Sequence, residues 1–204
     1  MLFPTSGLYA ITQTERKTPE QVISEVIAAI QGGAVVIQYR DKNPVDAVSL
    51  ATELLKICRS QNVPLLINDD VALAVKIGAD GVHLGKQDGE IAHARARLGK
   101  QAIIGVSCYN EVDLAMSAQN SGANYVAFGR FFPSNSKPLA APAQIETLKI
   151  AKSQLKIPIV AIGGILPENG KILLEAGADL LAVIGGVFDK DVEQSARAYQ
   201  ALFG

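Results

Sequence analysis

Two aspartates, Asp69 and Asp88, and two lysines, Lys42 and Lys137, each stand just past a short apolar run. Two carboxylates at neighbouring strand ends can share a hard divalent ion, and Mg²⁺ suits them best. It takes one or two protein carboxylates and completes its shell with waters and substrate phosphates. Asp69 has a competing role, because either it or Asp70 stands where a cap for the helical run Val71-Ala72-Leu73 belongs. A lone lysine after a strand is ordinarily a solvated surface residue, but two lysines beside a metal-binding pair describe a pocket for a strongly anionic group. In Gln38-Tyr39-Arg40-Asp41-Lys42 alternation puts Gln38, Arg40 and Lys42 on one side. Arg40 either meets the anion or braces nearby carboxylates. Gly163-Gly164 and Gly185-Gly186 form a second pole, where backbone N–H groups can approach phosphate oxygens closely; the competing reading is two tight turns. The residues therefore outline a two-ended site for two phosphorylated substrates, one of them a diphosphate.

Eight apolar runs carry these residues to their stations: Leu8–Ile11, Ala34–Ile37, Leu65–Ile67, Val82–Leu84, Ile103–Val106, Tyr125–Phe128, Ile159–Ile162 and Leu180–Ile184. Each ends in a polar or glycine-rich residue. Polar groups at the carboxyl ends of buried parallel strands are how a (β/α)8 TIM barrel builds an active site. Gly-Ala recurs just before a strand at Gly33, Gly78, Gly122 and Gly177. Glycine there reads as the left-handed residue that ends a helix. Each interval then holds two strand–helix units, and four such intervals give eight strands. A doubly wound open sheet shares the alternation and is the competing architecture. Helical periodicity appears over Pro19–Ile30 (with Thr18 as N-cap and proline opening the helix), Val45–Gln61, Val71–Ile77, Glu90–Leu98, Glu111–Ser121, Gln144–Leu155, Pro167–Ala176 and Asp191–Phe203. The longest connection, Gly129 to Pro142, has the length of a functional lid.

The 204 residues fit one domain spanning 1–204. A 49% hydrophobic content supplies a core, and no apolar stretch is long enough for a membrane span. The start shows no secretory pattern, so a cytoplasmic protein is expected. A net charge of −1 argues against a nucleic-acid binder. Cys58 and Cys108 lack metal-ligand spacing, and Cys58 reads as a core residue. His83 and His93 read as structural or surface residues. No Ser-His-Asp arrangement can be picked out. The partners expected are small phosphorylated molecules, with assembly into a homo-oligomer left open.

The motifs together resemble the thiamine phosphate synthase family. They are Gln38-x-Arg40-x-Lys42, Asn68-Asp69, Asp80-Gly81-Val82-His83-Leu84-Gly85 with Asp88, Gly105-Val106-Ser107, Phe132-Pro133-Ser134-Asn135-Ser136-Lys137, and Ala161-Ile162-Gly163-Gly164-Ile165. The resemblance implies a transferase that condenses a hydroxymethylpyrimidine diphosphate with a thiazole phosphate. Pyrophosphate is released, with carbon dioxide as well if the thiazole is carboxylated. It implies that Gln38, Tyr39, Arg40, Asp41, Lys42 and Asn68 hold the pyrimidine diphosphate. Ser107 would contact the pyrimidine and Lys137 the diphosphate, with Lys42, Ser107 and Lys137 the catalytic group. Asp69 and Asp88 would bind Mg²⁺. Ser134, Asn135, Ser136, Gly164, Ile184 and Gly185 would bind the thiazole phosphate.

Some positions depart from the family's commonest pattern. Arg130 replaces a proline, Cys108-Tyr109-Asn110 a threonine–histidine pair, Ser134 and Ser136 threonines, and Gly185 a serine. The rival readings are a thiazole tautomerase of similar fold, which needs no diphosphate machinery, and a non-catalytic phosphate-ligand sensor.

Overall fold

The computed structural model describes residues 1–85, 89–133 and 142–204. The described residues form eight parallel strands closed in sequence order, β1 to β8, with β1 hydrogen-bonded to β8. Closure rules out the open sheet. The strands are β1 (Gly7–Ile11), β2 (Ala34–Tyr39), β3 (Leu65–Asn68), β4 (Gly81–Leu84), β5 (Ile103–Tyr109), β6 (Tyr125–Phe128), β7 (Ile159–Ile162) and β8 (Leu180–Val183). Helices α1 (Pro19–Gln31), α2 (Ala47–Ser60), α3 (Val71–Ile77), α4 (Gly89–Leu98), α5 (Val112–Asn120), α6 (Ile145–Gln154) and α7 (Pro167–Glu175) alternate with them. A four-residue helix α8 (Gly185–Phe188), helix α9 (Val192–Gln200) and a final 3₁₀ turn close the chain. Among these described residues, no helix is long and apolar enough to cross a membrane.

Alternation along the strands sorts side chains into two clusters. Tyr9, Ile11, Val36, Leu66, Ile103, Tyr125, Ala127, Val160, Leu180 and Ala182 fill the barrel. Their neighbours, Leu8, Ala10, Ile37, Tyr39, Leu65 and Ile67 among them, pack outward against the helices.

The Gly-Ala repeat has a physical basis at the amino-terminal end of the barrel. Gly33, Gly78, Gly122 and Gly177 all adopt positive φ. In three of the four repeats the next polar residue fastens the preceding strand. Asp80 accepts from the Leu65 N–H at 3.0 Å, Asn124 from Ile104 at 2.9 Å and Asp179 from Ile159 at 2.9 Å. The repeat therefore belongs to the stabilising face of the fold, opposite the face that carries chemistry. Thr18 caps α1 in a reciprocal capping box with Gln21.

Most helix limits fall within a residue or two of the sequence reading. The exception is Gly185-Gly186, read as a phosphate-binding pair, or else a tight turn, after the strand Leu180–Ile184. It opens α8, and Ile184 is the N-cap rather than a strand residue. Four residues are too few to show a helical period.

Candidate functional site

The carboxyl ends of all eight strands open into one cavity of about 1620 Å³. Thr12 organises its first wall. Its buried hydroxyl accepts from the Arg40 N–H at 2.9 Å and donates to the Arg40 carbonyl at 3.2 Å, tying the end of β1 to the loop after β2. Arg40 and Lys42 line the cavity, and among the described residues neither has an ion-pair partner. The bracing role for Arg40 is therefore not what the structure shows.

Between them, Tyr39 and Asp41 make contacts within the loop itself. Tyr39 lies in the outer cluster, with its hydroxyl directed at Asp41 Oδ2 at 3.4 Å. Burial first and the Asp41 carboxylate second push its phenol above the ordinary tyrosine range. Asp41 Oδ1 accepts from the Asn43 N–H at 3.0 Å. Tyr39 and Asp41 thus shape the loop that presents Lys42, though both remain at the cavity rim.

Asp69 and Asp70 divide the two tasks left open by the sequence. Asp70 caps α3, accepting from the Leu73 N–H at 2.8 Å. Asp69 has φ of 62°, in the left-handed region, and its N–H is held by the His83 carbonyl at 2.8 Å. Its side chain is exposed at the cavity and accepts from Asn68 Nδ2 at 2.7 Å. A non-glycine residue in that region costs of order 1–3 kcal/mol and persists where the surroundings impose it, often at functional sites. Freed from capping, the Asp69 carboxylate is a hard oxygen donor suited to Mg²⁺. The described residues bring no three of His, Cys, Asp and Glu together as a metal cage, and Mg²⁺ asks for fewer protein ligands than that. Asp88, Ser134, Asn135, Ser136 and Lys137 lie outside the described residues, as does the centre of the connection read as a lid.

On the opposite side the connection after β6 crosses the end of β7. The Phe131 N–H donates to the Ile162 carbonyl at 3.2 Å and the Phe132 N–H to the Gly163 carbonyl at 3.0 Å. Gly164, at φ 63°, has no room for a Cβ because the Pro133 carbonyl occupies that space. Its glycine is thus demanded by chain crossing as well as by any ligand. Gly185 and Ile184 line the cavity beside Gly164, and Asp189 places a carboxylate oxygen where a Gly185 side chain would stand. Asn110 accepts from the Gln144 N–H at 2.8 Å and from the Thr147 hydroxyl at 2.6 Å, fastening the end of β5 to the start of α6.

The floor of the cavity is a buried hydrogen-bond chain. Gln38 Nε2 donates to Tyr9 Oη at 2.6 Å, and Tyr9 Oη lies 2.8 Å from Tyr125 Oη. Tyr125 Oη is 2.8 Å from His83 Nδ1, and His83 Nε2 is 2.9 Å from Ser107 Oγ. The Tyr125 ring occupies the space beside Gly105, whose missing side chain makes the arrangement feasible. Burial drives both phenols above their ordinary pKa, so both stay protonated. His83, read from sequence as a structural or surface residue, links Tyr125 to Ser107 in this chain. Its even placement with Gly81 on β4 was the available signal, since alternation turns it into the barrel.

A family model described as thiamine monophosphate synthase matches residues 8–187. The chain belongs to this family. It is 48% identical to the thiamine-phosphate synthase of Methylococcus capsulatus, over 98% of this chain and 91% of that one. It is 50% identical to that of Methylobacillus flagellatus, over 98% and 96%. A solved thiamine phosphate pyrophosphorylase from Pyrococcus furiosus superposes with a TM-score of 0.87 at 32% identity, covering 98% of this chain and 96% of that one. The site of this synthase-family chain is thus read on a closed barrel that its solved relative shares.

Proposed function

We propose that this family member is a thiamine-phosphate synthase acting with Mg²⁺, joining a pyrimidinylmethyl diphosphate to a thiazole phosphate and releasing pyrophosphate. One observation carries the reading beyond family membership. Asp69, relieved of capping by Asp70 and held in the left-handed region, faces the same cavity as Arg40 and Lys42, which have no ion-pair partner among the described residues. A site that only tautomerised a thiazole would not need that combination.

Asp69, and Asp88 by the family motif, would hold Mg²⁺, which when bound supplies charge neutralisation on the departing diphosphate. Arg40 and Lys42, with Lys137 from the connection after β6, bind its oxygens as fixed cations. Ser107 orients the pyrimidine. Gly164, Ile184 and Gly185, with Ser134 to Ser136, receive the thiazole phosphate. The loops after β7 and β8 and a short extra helix form the usual phosphate corner of this fold. The carbon–oxygen bond to the diphosphate breaks, and the thiazole nitrogen supplies the electron pair for the new carbon–nitrogen bond. An electron-rich aminopyrimidine stabilises positive charge at the methylene, so departure precedes capture and no protein nucleophile is required. The protein's tasks are alignment, electrostatics and exclusion of water.

Mixing both substrates with Mg²⁺ and measuring pyrophosphate separates the readings. Release is expected from the mixture. A tautomerase or a sensor would release none.

A further inference from the structure

The floor of the cavity has a direction. A glutamine NH₂ only donates, so Tyr9 Oη accepts from Gln38 Nε2 at 2.6 Å. Among the described residues the Tyr9 proton then has one neighbour to go to, Tyr125 Oη at 2.8 Å. The Tyr125 proton goes on to His83 Nδ1 at 2.8 Å. With Nδ1 accepting, neutral His83 carries its proton on Nε2 and donates to Ser107 Oγ at 2.9 Å. Turning the phenols around while Gln38 stays as it is would leave the Tyr9 hydrogen with no acceptor among the described residues. Tyr9 is 1% exposed and Tyr125 0%, and buried polar groups are almost never left unpaired. Phe3 packs against both phenols, stacked on Tyr125 with ring centroids 4.0 Å apart and edge-on to Tyr9 at 6.2 Å.

We propose that Gln38, Tyr9, Tyr125 and His83 form a one-way hydrogen-bond chain that fixes His83 as its Nε2–H tautomer and presents the Ser107 hydroxyl to the cavity as a donor. Ser107 then recognises an acceptor atom of the substrate, an unprotonated ring nitrogen or a phosphate oxygen, and rejects an amino group at that place. This rests on the synthase reading for the identity of the substrate, but not for the polarity of the chain. Tyr125 and His83 are positioning residues: they act on substrate only through Ser107.

The imidazole tautomer reports the direction. The chain has two histidines, and His93 on α4 is exposed, so long-range ¹H–¹⁵N correlation on ¹⁵N-labelled protein resolves them, with His93→Gln fixing the assignment. In the parent protein without ligand, His83 is expected as a single tautomer with hydrogen on Nε2. Tyr125→Phe keeps the ring but removes the donor to Nδ1. His83 should then sample both tautomers. KM for the pyrimidine diphosphate should rise about tenfold, the effect of one neutral hydrogen bond, with thiazole phosphate affinity unchanged. Hydrogen on Nδ1 in the parent would mean the chain runs in reverse and Ser107 accepts, which overturns the proposal. So would a folded Tyr125→Phe protein with unaltered tautomer and KM. If Tyr125→Phe does not fold, the parent spectrum decides alone. Absence of pyrophosphate release beside an Nε2–H His83 would sink the assigned reaction and leave the polarity standing.

Discussion

Replacing each of two adjacent aspartates should break a different thing. Asp70 Oδ1 caps α3 through the Leu73 N–H at 2.8 Å. Asp70→Ala removes that bond, at a cost of about 1 kcal/mol. For a domain of this length, 1 kcal/mol corresponds to roughly 2–4 °C in Tm. Turnover should survive, because the Asp70 carboxylate is committed to the helix. Asp69 makes no cap, and its φ of 62° is one that asparagine tolerates as well as aspartate. Asp69→Asn therefore keeps the backbone and changes stability by no more than about 0.5 kcal/mol, or roughly 1–2 °C. It removes the charge that would hold Mg²⁺, and loss of one such electrostatic element typically lowers turnover about a hundredfold to a thousandfold. Asp69→Gly gives a further check. Relief of the left-handed strain, about 1–2 kcal/mol, is offset by about 0.5–1 kcal/mol of added chain entropy in the unfolded state. Tm should hold or rise slightly while turnover is lost. Thermal melts and a coupled pyrophosphate assay over a Mg²⁺ titration read all three variants. Parental turnover in Asp69→Asn, or lost turnover with unchanged Tm in Asp70→Ala, would refute the division of labour.

At the thiazole-phosphate end, Gly164→Val should lower Tm whether or not phosphate binds, because the Pro133 carbonyl already fills the Cβ space; an unchanged melt would show that crossing to be looser than described. Gly185→Ser asks only the exposed Asp189 carboxylate to move aside, so calorimetry should find thiazole phosphate affinity changed by no more than about tenfold, the effect of one neutral hydrogen bond. Thr12→Val removes both bonds to the Arg40 backbone and should raise KM for the pyrimidine diphosphate well before it unfolds the protein, as kinetics and melts on one preparation would show. Burial pushes the Cys58 thiol up to about 12, so native protein should leave it unlabelled by a thiol reagent at pH 8 and denatured protein should expose it.

The barrel was legible because its signals are periodic. Strand alternation placed Arg40 and Lys42 on one side and Tyr39 on the other, and the Gly-Ala repeat counted eight strands. What stayed hidden depends on pairs far apart in the chain. Nothing near Gly105 announces that Tyr125 will lie against it, and a lone histidine inside a strand gives no sign that it will meet Tyr125 and Ser107. The same holds for Thr12, a buried strand-end threonine whose hydrogen bonds reach the loop after β2. Asp69 and Asp70 could not be told apart from sequence, because either carboxylate can cap the same helix and only the backbone conformation decides. The double glycines illustrate a further limit: Gly164 is fixed by a crossing chain and Gly186 by the Tyr199 hydroxyl, requirements that look identical to phosphate binding in a sequence.

In the proposed reaction this cavity couples two phosphorylated substrates with departure of a diphosphate. A single-turnover reaction of enzyme, pyrimidine diphosphate, thiazole phosphate and Mg²⁺, with both products quantified, tests it most directly. Pyrophosphate and the carbon–nitrogen coupled product should appear in equal amounts, with neither formed when Mg²⁺ is chelated. Coupled product absent, or pyrophosphate released equally fast without the thiazole and with no coupling when it is present, would contradict the account.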